Sequence, residues 1–311
     1  MWNRLFQYGA GLLVALALGA GHAVAAADDY ANQHLLKDAP ALFDMIAADA
    51  GTSTSVTPAD LRIVDVRARE KFEAGHVPGA ISLPFTDLTD PNAAVAGALK
   101  SDEDLAALLG AHGISQTTEV VIYDDRGGFR AARLFWLLEY FGHRKVSLLN
   151  GGIQAWESAG NTVVKTGGGG ISPSVGDAGP AVFSITRTPR RYASADYIME
   201  RRMDRETIVI DVRPEKAYAK GFIPWAINMP WSRNLDEVKM IKTARELTKL
   251  FEGEGVTPDM NIVIHCQTGE ASAHTYFVLR LMGYPKVRTY HRSWAEWGAS
   301  DDLPKAAIDA S

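Results

Sequence analysis

Residues 265–272 read His265-Cys266-Gln267-Thr268-Gly269-Glu270-Ala271-Ser272, and Cys266 is the only cysteine among 311 residues. A single cysteine forms no intramolecular disulfide, CxxC redox pair or cysteine-rich zinc site, so any thiol chemistry belongs to Cys266. Before it, Ile262-Val263-Ile264 has the β-branched character of a buried strand; after it runs a helical pattern of about ten residues. A loop between a strand end and a helix start points several backbone N–H groups into one space, and the helix N-terminus adds partial positive charge. Such a cradle favours a thiolate. It would equally hold a substrate oxyanion or the outer sulfur of a persulfide. Gln267, Thr268, Gly269, Glu270, Ala271 and Ser272 are therefore the expected substrate-binding loop. The competing reading is a buried, inert cysteine. A polar, glycine-containing loop argues against it.

The elements that must position this loop are short. Arg62–Val66, Val120–Tyr123, Thr207–Asp211 and Asn261–His265 are Val/Ile-rich and do not alternate in polarity, as parallel strands buried on both faces do not. Helical patterns lie between them, which predicts an α/β fold with right-handed crossovers. In such sheets ligands bind beyond the carboxyl ends of strands, where Cys266 falls.

The chain also repeats. Residues 63–85 read IVDVRAREKFEAGHVPGAISLPF and residues 209–231 read VIDVRPEKAYAKGFIPWAINMPW. From Asp65/Asp211 to Phe85/Trp231, 8 of 21 ungapped positions are identical. A second pair, residues 120–156 and 262–297, shares a strand, a small-residue loop, a helix closed by Gly142 or Gly283, another strand and a Trp-bearing helix. Cys266 aligns with Asp124 or Asp125, the register being open by one residue. The expected organisation is a leader over 1–27, a first domain over 28–165, a Gly-rich linker over 166–181 and a second domain over 182–311. Each domain is expected to be a parallel sheet with helices on both faces.

Apolar residues make up 47% and charged residues 22%, which excludes a disordered chain, a collagen and a multi-span membrane protein. A net charge of −5 argues against general nucleic-acid binding. Arg4, the apolar run from Gly9 to Ala20 and the small residues Ala23-Val24-Ala25-Ala26-Ala27 have the three parts of a cleavable export signal. The expectation is a soluble exported protein with no membrane segment after cleavage, periplasmic if the source has two membranes. An exported protein with one unpaired thiol risks oxidation, a further argument that Cys266 is functional.

Here the motifs become specific. Asp65-x-Arg67 followed by Gly75-His76-x-Pro78-Gly79-Ala80, Asp211-x-Arg213, the C-x-x-G loop at Cys266, and Tyr123-Asp124, Gly142-His143, Leu149-Asn150-Gly151-Gly152 and Trp156 together resemble the two-domain rhodanese family of sulfurtransferases. The likeness runs through nearly the whole chain after residue 27. It implies two tandem rhodanese-like domains, only the second carrying the active cysteine. It also implies transfer of a sulfane sulfur from thiosulfate or 3-mercaptopyruvate to cyanide or a thiol through a Cys266 persulfide, without cofactor or metal. The partners implied are a small anionic donor and a thiophilic acceptor, with a protein acceptor as a further possibility. Arg213 is the implied donor clamp, because a planar guanidinium can hold a carboxylate or sulfonate through two bonds. The alternative is a buried structural pair, which the persistence of Arg67 in the cysteine-free half supports. Asp65 and Asp211 are read as orienting loops, and His76 and His274 as packing residues. Thiosulfate-specific members carry Arg-Lys after the cysteine and mercaptopyruvate-specific members Gly-Ser or Gly-Thr; Gln267-Thr268 is neither. Glu270 is expected to repel an anionic donor if it points inward. Phe222, Trp225 and Trp231 either wall the pocket or fill the domain interface as core aromatics, and Arg233 is a second candidate for anion binding, near the domain interface. Two other functions stay open: a sulfur-carrying or partner-binding module without turnover, and a cysteine phosphatase. The latter lacks the required Arg six residues after the cysteine, where Ser272 stands.

Overall fold

A computed structural model describes residues 29–47, 61–166 and 179–308. The expected leader and most of the expected linker lie outside the described residues. The first half contains β1 (Leu36–Lys37), α1 (Ala39–Ala47), β2 (Leu61–Asp65), α2 (Arg69–Ala74), β3 (Ala80–Ser82), α3 (Asp102–Ala111), β4 (Glu119–Tyr123), α4 (Ala131–Tyr140), β5 (Val146–Leu149) and α5 (Gly152–Ser158). The second contains α6 (Ala195–Glu200), β6 (Thr207–Asp211), α7 (Glu215–Tyr218), β7 (Ala226–Asn228), α8 (Ala244–Gly253), β8 (Asn261–His265), α9 (Glu270–Leu281), β9 (Val287–Thr289) and α10 (Ser293–Trp297). Among the described residues no helix is long and apolar enough to cross a membrane.

The strands form two sheets, ordered β1-β5-β4-β2-β3 and β7-β6-β8-β9, and every pairing is parallel. Parallel neighbours need a crossover, and the helices between strands supply it, covering both faces. The repeat is structural: Asp65 pairs with Tyr123, and Asp211 pairs with His265 in the same place. Cys266 and Asp124 are each the first residue after the central strand. The strand register therefore selects Asp124 as the counterpart of Cys266.

Three apolar clusters account for the layering. One packs Ile63, Val121 and Trp156 beneath the outer face of the first sheet; another packs Val209, Val263 and Trp297 beneath the outer face of the second. The third is continuous across both halves, from Val64 and Ile122 through α4 and α9 to Ile210 and Ile264. Its centre is a perpendicular ring contact between Phe135 of α4 and Phe277 of α9, 4.8 Å between centroids. The two halves thus share one core, and the loops entering α4 and α9 lie along their common interface. Gly142 and Gly283 end these helices with φ of +84° and +86°, the left-handed turn that glycine permits without a Cβ clash.

Candidate active site

Cys266 leaves β8 buried, 2% exposed. Its Sγ accepts the Gly269 N–H at 3.1 Å. Two hydroxyls lie nearby, Ser272 Oγ at 3.7 Å and Ser293 Oγ at 3.8 Å. The Ser272 hydroxyl donates to Gly269 O at 3.1 Å, and the Ser293 hydroxyl to Tyr290 O at 2.9 Å. Ser293 also accepts the Cys266 N–H at 3.0 Å and sits at φ +55°, unusual for a residue with a Cβ. The segment entering α10 holds the loop from below, because Trp294 N–H and Ala295 N–H donate to Cys266 O and Gln267 O, each at 3.0 Å. Gly269 takes φ +105°, and a Cβ there would stand 2.7 Å from His291 O. The fold therefore requires glycine at the residue whose N–H meets the sulfur.

The first domain displays what this loop shape binds. Asp124 is fully buried, and its carboxylate accepts four backbone N–H groups: Arg126 at 2.8 Å, Gly128 at 2.9 Å, Arg130 at 2.6 Å and Ala131 at 3.1 Å. The strand-to-helix loop is an anion cradle, occupied in this half by its own side chain. The halves differ by one residue: Gly128 lies four positions after Asp124, whereas Gly269 lies three after Cys266. That insertion explains why alignment from the helix side selects Asp125.

The expected loop residues come together around the sulfur, with individual corrections. Gln267 is exposed, while Ala271 and Ser272 are buried under the loop. Thr268 donates its hydroxyl to Glu270 Oε2 at 2.7 Å. Glu270 does not stand as an uncompensated charge: its Oε1 lies 3.1 Å from Arg133 Nη1 of the first domain. The repulsion expected of Glu270 is therefore opposed by a partner 137 positions earlier in sequence. The alternative reading of Arg213 is the one the geometry supports. Its Nε lies 3.0 Å from both Asp211 oxygens, and its Nη2 reaches Asp211 Oδ2 and Gly221 O, each at 2.6 Å. Arg67 makes the same four contacts with Asp65 and Gly75 O. The Arg213 side chain, 4% exposed, closes its own turn through this fork and lies 4.6 Å over the Trp294 ring.

The aromatic expectations divide. Phe222 stacks on Tyr218 at 4.2 Å and Trp225 packs edge-on to Trp297 at 5.9 Å. Trp231 is an interface residue, 4.6 Å from Phe129 and 5.1 Å from His274 between ring centroids. Arg233 pairs with Glu254 at 2.8 Å on the surface. Burial pushes His265 below its ordinary value, against the pull of Asp211 at 3.6 Å, and pushes His291 down to about 3. Neither histidine is therefore a protonated partner for the thiolate near neutral pH.

Two residues of this site escape a sequence reading centred on the loop: Ser293 and Arg133. Arg133 has a visible signal, being the only charged residue between Ala131 and Leu138 in an otherwise apolar helix. A buried cation needs partners, and these are Thr268 O at 2.8 Å, Glu270 and Gly97 O.

The family model for the rhodanese-like domain matches residues 53–159 and 194–300. A thiosulfate sulfurtransferase of Pseudomonas aeruginosa is 32% identical over 255 residues, 79% of this chain and 90% of that protein. The sulfur carrier protein TtuD of Thermus thermophilus is 33% identical, over 76% of this chain and 86% of its own. A 3-mercaptopyruvate sulfurtransferase of Escherichia coli is 28% identical, over 77% and 86%. Among solved structures, the anaerobic ergothioneine biosynthesis enzyme of Chlorobium limicola shares the fold with a TM-score of 0.77 at 23% identity, over 90% of this chain and 72% of that one. With a rhodanese-like domain matched in each half and relatives of 32% and 33% identity over most of the chain, the chain belongs to the rhodanese family.

Proposed function

We propose that the protein is a sulfurtransferase that carries sulfur on Cys266. The Cys266 thiolate attacks the outer sulfur of a small anionic donor, thiosulfate or 3-mercaptopyruvate. A new S–S bond forms, and the bond between that sulfur and the rest of the donor breaks. With thiosulfate, sulfite leaves with the electron pair; with 3-mercaptopyruvate, the carbon fragment leaves and takes up a proton. A thiophilic acceptor such as cyanide or a thiol then attacks the outer persulfide sulfur and returns Cys266 to a thiolate. This is covalent catalysis by double displacement.

The observation that carries this reading is the placement of the lone thiol where the duplicate domain holds a carboxylate on four N–H groups. A persulfide anion on Cys266 would extend into the equivalent space. Ser272 at the sixth position after the cysteine brings a hydroxyl and no guanidinium, which disfavours phosphoryl transfer. The test is steady-state kinetics with each donor and cyanide. Parallel double-reciprocal lines support double displacement; turnover by Cys266→Ser contradicts it.

A second reading, a sulfur carrier that loads but hands sulfur only to a protein, is favoured by the relative named as a sulfur carrier. Loading of Cys266 without turnover of cyanide or small thiols would select it. In either case export through residues 1–27 is part of the proposal, tested by the N-terminus of the mature protein.

A further inference from the structure

The duplication supplies an internal comparison across the domain interface. Arg133 of α4 and His274 of α9 each stand five residues after the glycine that opens their helix, Gly128 or Gly269. Each reaches into the other domain's loop. Arg133 Nη1 donates to Thr268 O at 2.8 Å, and His274 Nε2 lies 3.1 Å from Gly127 O. Both carbonyls belong to the residue just before the opening glycine.

The two side chains differ in charge. His274 is fully buried and pushed down to about 4 by burial, so it is neutral at neutral pH. The Arg133 side chain is 1% exposed, and a guanidinium does not shed its proton under such conditions. Burial pulls Arg133 below its ordinary value, opposed first by the charge of Glu270 and then by Cys266. The loops differ in the matching sense. The Asp124 carboxylate already accepts four N–H donors and faces the neutral His274. The sulfur of Cys266 accepts one backbone N–H and faces the loop held by the cation.

We propose that Arg133 is a positioning residue for Cys266: the cysteine-free domain supplies a buried guanidinium that fixes the sulfur loop and brings a fixed positive charge to it. Its fork holds Thr268 O, Glu270 Oε1 at 3.1 Å and Gly97 O. Nη1 lies 3.3 Å from where a Cβ on Gly269 would be. The clamp is thus next to the residue whose N–H meets the sulfur. This also gives the cysteine-free domain a part in the reaction, because its helix reaches the loop that the second domain cannot charge by itself.

Glu270 is the opposing charge. Other titratable groups on the elements around the loop include His265, His291, Asp211, Tyr290, Arg213 and Arg292. The two histidines are kept neutral by burial. Asp211 is neutralised by Arg213, and Arg292 by Glu296 at 2.9 Å. Arg133 and Glu270 remain as the charged pair in direct contact with the loop.

The proposal deepens the sulfur-transfer reading but is tested without a sulfur donor. Cys266 is the sole cysteine, so iodoacetamide alkylation of the full chain, followed by intact mass across about pH 5 to 10, reports the reactivity of this one thiol and its dependence on pH. Arg133→Gln is expected to slow alkylation at pH 7 about tenfold and move the half-maximal pH upward, as one unit of displacement would. Arg133→Lys, which keeps the charge and loses the fork, should stay within about threefold of the native rate. Glu270→Gln should act in the opposite direction and accelerate alkylation. Equal losses in Arg133→Gln and Arg133→Lys would reduce Arg133 to a structural clamp and overturn the proposal. Slower alkylation in Glu270→Gln would also overturn it, and this variant decides the matter if Arg133→Gln does not fold. A native protein whose alkylation follows these rules but which transfers no sulfur would refute the proposed function and leave this inference standing.

Discussion

Replacing Gly269 with alanine tests whether the loop geometry, and not merely the presence of a thiol, makes the site. At φ +105° an alanine is strained, which costs about 1–3 kcal/mol. Its Cβ would stand 2.7 Å from His291 O and 3.3 Å from Arg133 Nη1. The first neighbour is backbone and the second is a packed, three-way-bonded guanidinium, so neither yields easily. Overpacking of this kind adds about 1–3 kcal/mol. If the loop stays in place, the variant should lose about 2–6 kcal/mol in urea denaturation. If it relaxes instead, Gly269 N–H leaves the sulfur at 3.1 Å and the loss moves from stability to kcat/KM. Gly255→Ala is the control: φ is +75°, but nothing lies within 4 Å of its Cβ. It should cost only about 1 kcal/mol and leave transfer intact. A Gly269→Ala protein that matches Gly255→Ala in both stability and kcat/KM would refute the reasoning.

Other outcomes follow from the same geometry. Arg213→Ala strands the buried Asp211 carboxylate and should destabilise by about 3–5 kcal/mol, as should Arg67→Ala at Asp65. Native stability with poor donor use would restore Arg213 as a donor clamp. His274, pushed down from 6.5 to about 4, stays neutral in the folded state while the unfolded chain takes up a proton. Its contribution is complete above about pH 6.5 and declines by about 3 kcal/mol as pH falls toward 4. His274→Gln keeps an N–H for Gly127 O and should flatten that part of the stability profile; an unchanged slope contradicts the assignment.

The strands and the cysteine loop were legible because their signals are local. Thr207–Asp211 and Asn261–His265 are observed with the bounds that β-branched composition predicts, and the other two expected strands, Arg62–Val66 and Val120–Tyr123, are each displaced by one residue at one end or both. A Val/Ile run bounded by polar residues has few alternatives in a buried sheet. The one-residue ambiguity at Asp124 and Asp125 reflected a real insertion, invisible until strand and helix could be registered separately. The motif at Arg213 supports two roles, and the fork closed on Asp211 and Gly221 O, which no local spacing encodes, is what favours the structural one. Glu270 could not be read correctly from its neighbours, since the cation opposing it arrives from another domain. Arg133 meets Thr268 across 135 positions of sequence, a contact no local spacing encodes. Phe222 and Trp225 lie within the repeated motif in sequence, yet they pack against Tyr218 of α7 and Trp297 of α10.

The measurement that bears most directly on the central claim is the intact mass of the protein after incubation with thiosulfate and, separately, with 3-mercaptopyruvate. The expected result is a gain of one sulfur atom with at least one donor, its removal by cyanide or by an acceptor protein, and no gain in a folded Cys266→Ser variant. No gain with either donor in a protein whose Cys266 alkylates readily, or a gain that survives Cys266→Ser, would contradict it.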